Sequence, residues 1–110
     1  MAKNYVGEGS VLNYTNASGS TIASGTPVLI NKRLGVAIAD IPDGATGALA
    51  VEGIFTVAKL STDTPGQGAL LYWDATNSRL TTTASGNTQA GYAATAAGNG
   101  ATTVNINLNQ

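Results

Sequence analysis

Short runs rich in Val, Ile, Leu, Thr and Tyr recur along this chain between clusters of Gly, Asn, Asp, Ser and Pro, and no stretch sustains helical periodicity over three turns. This punctuation predicts an all-β fold: a small single-domain β-barrel or sandwich of about 7–9 short, mainly antiparallel strands. Strand candidates are Ser10–Thr15, Pro27–Ile30, Leu34–Ala39, Ala48–Leu60, Ala69–Asp74, Arg79–Thr83, Gln89–Thr95 and Thr102–Leu108. Pro27 suits the first position of a strand because it lacks a backbone donor. Gly53 interrupts the longest candidate and marks a bulge or a bend at a barrel corner.

Alternation assigns faces. Leu34, Val36 and Ile38 share one side, and Val104, Ile106 and Leu108 oppose Asn105, Asn107 and Asn109. Trp73 points inward as a core anchor, leaving Tyr72 and Asp74 on the other face. Asn31-Lys32-Arg33 reads as a hairpin connection, Pro42-Asp43-Gly44 as a turn in which Pro presets φ and Gly accepts a positive one, and Gly86-Asn87 and Gly98-Asn99-Gly100 as further turns. Glycines around Ala93–Ala101 favour a loop there over a helical turn. The Gly7-Glu8-Gly9 break separates an N-terminal arm, residues 1–10, from one β domain, residues 11–110.

The core is thin. Of 110 residues 43% are hydrophobic, but 18 of these are Ala, and Leu, Ile, Val and Phe together number 23. A domain of this kind gains from assembling with copies of itself or with a partner.

Chemistry is restricted by what is missing. With no His and no Cys there is no imidazole base, thiolate nucleophile, disulfide or zinc site of the usual kind. The carboxylates are Glu8, Asp40, Asp43, Glu52, Asp63 and Asp74. Asp43 is explained by its turn and Asp40 by a strand end, so no pair is set up for hydrolysis. No EF-hand spacing and no phosphate-binding glycine loop occur. The expectation is therefore no enzyme, no catalytic residues, no cofactor and no metal.

Five scattered basic groups do not make a stripe that tracks phosphates, which argues against nucleic-acid binding. The apolar runs are too short for a membrane span, and Met1-Ala2-Lys3-Asn4-Tyr5 lacks a signal-peptide hydrophobic region. The expected site of synthesis is the cytosol, without export by that route. Asn13-Tyr14-Thr15 and Asn16-Ala17-Ser18 then read as chance matches to the glycosylation pattern.

From Leu80 to Gln110 no side chain is charged. Thr, Ser and Asn alone keep this segment soluble, or it is covered in an assembly; the lack of charged gatekeepers against edge pairing favours the second.

The order Met-Ala-Lys-Asn-Tyr-Val, Leu34-Gly35-Val36-Ala37 with Asp40, Val51-Glu52-Gly53-Ile54-Phe55 with Lys59, and Gly68-Ala69-Leu70-Leu71-Tyr72-Trp73-Asp74 resembles the small phage capsid cement (decoration) proteins of the DUF2190 family. Leu80-Thr81-Thr82-Thr83, Gly86-Asn87 and Gly91 continue the likeness, which covers nearly the whole chain. The resemblance implies a structural protein of a tailed phage or prophage, located in the virion on the outer surface of the head. There it would bind the expanded lattice of the major capsid protein and stabilise the head against DNA pressure, with a homotrimer as the favoured oligomer. The arm is expected to reach the capsid protein by strand addition, with Lys3, Asn4, Tyr5 and Val6 as its contacts; a frayed terminus is the alternative. A different reading is a carbohydrate-binding or adhesive β-domain displayed on a particle surface, using Tyr72 or Tyr92.

Overall fold

The computed structural model describes residues 9–109. Its strands are β1 (Val11–Thr15), β2 (Pro27–Ile30), β3 (Arg33–Ala37), β4 (Thr46–Ala50), β5 (Ile54–Ala58), β6 (Leu70–Asp74), β7 (Arg79–Thr81), β8 (Thr88–Ala93) and β9 (Thr103–Leu108). They form a four-stranded sheet in the order β1-β4-β3-β2 and a five-stranded sheet in the order β5-β9-β8-β6-β7. Every pairing within these sheets is antiparallel. The fold is all-β, as the punctuation predicts. The five-stranded sheet curls until its edges touch at a single parallel bridge between Lys59 and Leu80, without closing into a barrel.

Local chemistry sets the turns. β2 and β3 are joined through Asn31–Lys32, closed by the Ile30/Arg33 pair, and Asn31 takes the positive φ (54°) that the first central residue of such a two-residue connection adopts. Pro42–Ala45 is a tight turn closed by Ala45 N–H donating to Pro42 O, with Gly44 at φ 80°.

The expected long strand Ala48–Leu60 is two strands. Gly53 (φ 108°) bends the chain between β4 and β5, which lie in different sheets. β3 likewise ends at Ala37, before the expected Ala39. Ile38 is therefore exposed rather than sharing the inner face with Leu34 and Val36, and Ile41 is buried instead, in a bridge with Ile22.

The main core lies between the sheets. Leu34 and Val36 of the smaller sheet meet Val57, Leu71, Trp73, Leu80, Ala90, Ala93, Val104, Ile106 and Leu108 of the larger. Trp73 is the expected anchor, and Val104, Ile106 and Leu108 all point inward. A second, small cluster of Ala37, Ile41 and Leu49 forms on the other side of the four-stranded sheet. It depends on absent side chains: a Cβ on Gly47 would stand 2.5 Å from Ile41 Cγ1.

Asn16 organises the loop over this cluster. It is fully buried, and its Nδ2 donates to Ser20 O and Ile41 O, both at 2.7 Å, while its Oδ1 accepts from Ser18 N–H and the Ser18 hydroxyl. Both amide hydrogens are used internally, which leaves none of this side chain for glycosylation.

Candidate functional site

Two surfaces stand out. The first is the outward face of the five-stranded sheet. Directly paired residues share a face, so the pairs Ile54/Asn107, Tyr92/Asn107 and Leu70/Tyr92 define one row crossing β5, β9, β8 and β6. Its two ends, Ile54 and Leu70, are 61% and 48% exposed, two of the five exposed large apolar side chains among the described residues. Asn107 Nδ2 donates to Tyr92 Oη at 2.9 Å in the middle of the row. In the next row, Thr56 Oγ1 donates to Asn105 Oδ1 at 2.7 Å.

Among the described residues, charge meets this face along its β7 edge, where Asp74 is paired with Arg79 and where Thr81, paired with Tyr72, donates to Asp63 Oδ2 at 2.6 Å. Asp74 caps the following turn: its Oδ2 accepts from Asn77 Nδ2 at 2.7 Å and its Oδ1 from the Thr76 and Asn77 N–H groups. The Asn77 side chain, those backbone N–H groups and the nearby Arg79 hold this carboxyl below its ordinary value. Tyr72 also lies here, diagonal to Tyr92 across the β6–β8 pair, so the two tyrosines that the sequence left apart share one face.

The uncharged final third therefore lies differently from its sequence-level reading. β8 and β9 are interior strands, not edges, so charged gatekeepers have no edge to guard there. What remains uncharged and open is their outward face.

The second surface is a groove of about 550 Å³ across the seam between the sheets, lined by Lys32, Arg33, Asn87, Thr88, Gln89, Gly91 and Asn109. A smaller depression of about 260 Å³ adjoins it, sharing Arg33 and Asn109 and adding Leu12, Val51 and Glu52. Asn109, which alternation would leave on the polar face, links the sheets. Its Nδ2 donates to Leu34 O (2.9 Å) and Val51 O (2.8 Å), and its Oδ1 accepts from Leu34 N–H (3.3 Å). β3 and β4 pair only at Val36/Ala50 and Ala37/Leu49, so this carboxamide occupies ladder positions that β4 vacates.

The other ionic groups are structural. Lys59 is buried, and its ammonium donates to Leu60 O and Asp63 O at 2.8 and 2.6 Å. Burial raises the Asp63 carboxyl, but hydrogen bonds from Thr81 and Thr82 and the charge of Lys59 outweigh it, so the group stays below its ordinary value. Asp40 and Asp43 accept from the N–H groups of Ser24 and Gly19. Among the described residues, no three acidic side chains gather into a metal-binding group, and no helix is long and apolar enough to cross a membrane. Lys3, Asn4, Tyr5 and Val6 lie outside the described residues.

A family model described as phage cement protein matches residues 6–108, and the DUF2190 label is an older name for the same family. No curated protein and no solved structure matches the chain.

Proposed function

We propose a function from one premise: the chain belongs to the phage cement protein family. Membership gives it a capsid-associated decoration role as a structural protein at the virion surface. Beyond that, we propose that it docks on the outer surface of the expanded major capsid protein lattice and stabilises the head against the pressure of packed DNA. A protein that binds only the expanded shell stabilises it by linkage, and many weak contacts per particle add to a large total.

The observation that carries this reading is the uncharged row Ile54, Asn107, Tyr92 and Leu70 across the outward face of the five-stranded sheet, with Ile54 and Leu70 exposed at its ends. Depletion of charge with aromatic and apolar side chains exposed is the composition of an interface core, and here Tyr92 and Asn107 lie between the two apolar ends of the row. The N-terminal arm, through Lys3, Asn4, Tyr5 and Val6, is proposed to add contacts by strand addition, and a homotrimer is the proposed unit on the lattice.

Ile54→Lys/Leu70→Lys places charge at both ends of the row on exposed positions, where the fold tolerates it. Occupancy on expanded heads should fall while the melting temperature of the free protein holds. Unchanged occupancy would remove this face from the interface. Deleting residues 2–9 tests the arm in the same assay, and native mass spectrometry of released complexes tests the trimer.

One observation favours a second reading. Tyr72 and Tyr92 share the same face, as a sugar-stacking surface requires, so glycan-array binding weakened by Tyr72→Ala or Tyr92→Ala would support a carbohydrate-binding role.

A further inference from the structure

We infer that the groove across the sheet seam is a docking site for an acidic, extended segment of a partner polypeptide, with Lys32 and Arg33 as its recognition charges. The inference rests on the capsid-surface reading only for where the partner comes from. Among the described residues there are four cationic side chains. Lys59 is buried and bonded to two carbonyls, and Arg79 sits beside Asp74. The remaining two, Lys32 and Arg33, are adjacent, exposed and directed into one depression of a chain whose net charge is -1.

Their backbone is also fixed. Both belong to the closed β2–β3 connection, where the Ile30/Arg33 pair and the left-handed Asn31 fix the backbone. The backbone is thus pre-set, and the order that a partner must still impose is that of the two exposed side chains. The opposite wall, Thr88 and Gln89 of β8, is polar and uncharged and offers hydrogen bonds to an extended backbone.

Charge also sets the limits of the site. Glu52 lines the adjoining depression beside Arg33, so the cationic stretch ends there and an acidic segment is repelled beyond it. Two cations suit two carboxylates. Duplex DNA would find too few charges, since phosphate-tracking proteins neutralise about 6–10 phosphates.

A hexaglutamate peptide titrated into the labelled full chain tests the inference by amide NMR. Resonances of Lys32, Arg33, Thr88 and Gln89 should shift, and about 0.5 M salt, where the screening length is about 4 Å, should suppress binding. Lys32→Gln/Arg33→Gln should weaken binding by roughly 2- to 30-fold, the range for two exposed charge pairs. Glu52→Gln should tighten it, an opposite sign that loss of folding cannot mimic. Equal binding by the double Gln variant overturns the inference, as do stronger binding of duplex DNA or shifts confined to other surfaces. A change only in self-association in that variant overturns it too, because the occupant is then a second copy.

Binding to expanded heads separates this inference from the capsid reading. If the wild-type chain occupies heads and the double Gln variant does so equally, the groove plays no part and the capsid reading stands. If the chain binds hexaglutamate in the groove but no heads, the capsid reading falls and the groove assignment stands.

Discussion

Removing the Asn109 carboxamide is the most direct test of what joins the two sheets. Asn109→Ala deletes three hydrogen bonds and leaves Leu34 N–H, Leu34 O and Val51 O without their partner. A typical net contribution is about 1 kcal/mol per bond, and an unpaired buried group costs about 1–3 kcal/mol. Leu34 is fully buried, but Asn109 lines both depressions, so water reaches some of the vacated positions. That accessibility lowers the expected loss to about 2 kcal/mol from the bonds. Asn109 also adopts φ 56°, where Ala is disfavoured by about 1–2 kcal/mol and Asn is better tolerated.

Asn109→Gly separates the two contributions, since Gly loses the bonds without the backbone penalty. The Gly variant should lose about 2 kcal/mol, a fall of roughly 8–16 °C in melting temperature for a domain of this size, and the Ala variant more. Asn109→Asp retains an acceptor but points a carboxylate at two carbonyl oxygens, and should be at least as damaging as Ala at neutral pH. Trp73, the single tryptophan, is buried in the core and reports unfolding by fluorescence in urea or on heating. A Gly variant that melts within about 2 °C of wild type would refute the inter-sheet role of this side chain.

Gly91→Ala should prevent formation of the β8–β9 ladder, because its Cβ would lie on Asn107 O, whereas Gly44→Ala, with open space around it, should cost only about 1–2 kcal/mol for its φ; relative soluble yield and circular dichroism compare the two. Asn16→Ala should destabilise by about 2–4 kcal/mol through loss of the four hydrogen bonds that its buried carboxamide makes to Ser18, Ser20 and Ile41, measured by urea denaturation. Asp63 and Asp74 are held below their ordinary value of 3.8, so the stability they confer is complete above that pH and lost as pH falls through their folded-state values. The melting-temperature gap between wild type and Asp63→Asn should accordingly be widest near neutral pH and shrink as pH falls below the ordinary carboxylate value.

Strand identity and turn chemistry were legible where a residue type is tied to a backbone state. Gly44 marks a positive φ, Asn31 a hairpin connection and Pro27 a strand start, and the alternation of Val104, Ile106 and Leu108 names the inner face of β9. Gly53 signalled the bend between β4 and β5, but not that the bend carries the chain from one sheet to the other, since sheet membership depends on distant partners. Ile38 defeated the alternation because β3 ends one residue earlier and the chain leaves the ladder to bury Ile41. Asn109 defeated it in the opposite direction: its left-handed backbone swings the side chain out of the strand's alternation and onto Leu34, 75 residues away. The groove was invisible for the same reason, because Lys32 and Arg33 meet Thr88 and Gln89 only through the packing of β3 on β8.

The size of the outward face decides how it can serve a capsid protein. Four strands about 4.8 Å apart and five or six residues long, at about 3.3 Å per residue, present a plane of roughly 300 Å². A stable binary interface buries about 800 Å² on each partner. Side-chain relief enlarges the accessible area, yet this face alone falls short of holding one copy on one capsid subunit. Stable decoration then requires contacts beyond this face, for which the arm and the seam groove are the proposed sources, or linkage between copies so that weak contacts act together. The uncharged third fits such a division. Its inner side chains fill the core, β8 and β9 lie inside the sheet and need no gatekeepers, and Thr, Asn and Gln keep the outward side soluble while adding no charge to desolvate on docking. Combining Ile54→Lys/Leu70→Lys with Lys32→Gln/Arg33→Gln should therefore reduce head occupancy more than either pair alone; if the first pair already abolishes binding, the face carries the whole interface and the area reasoning fails.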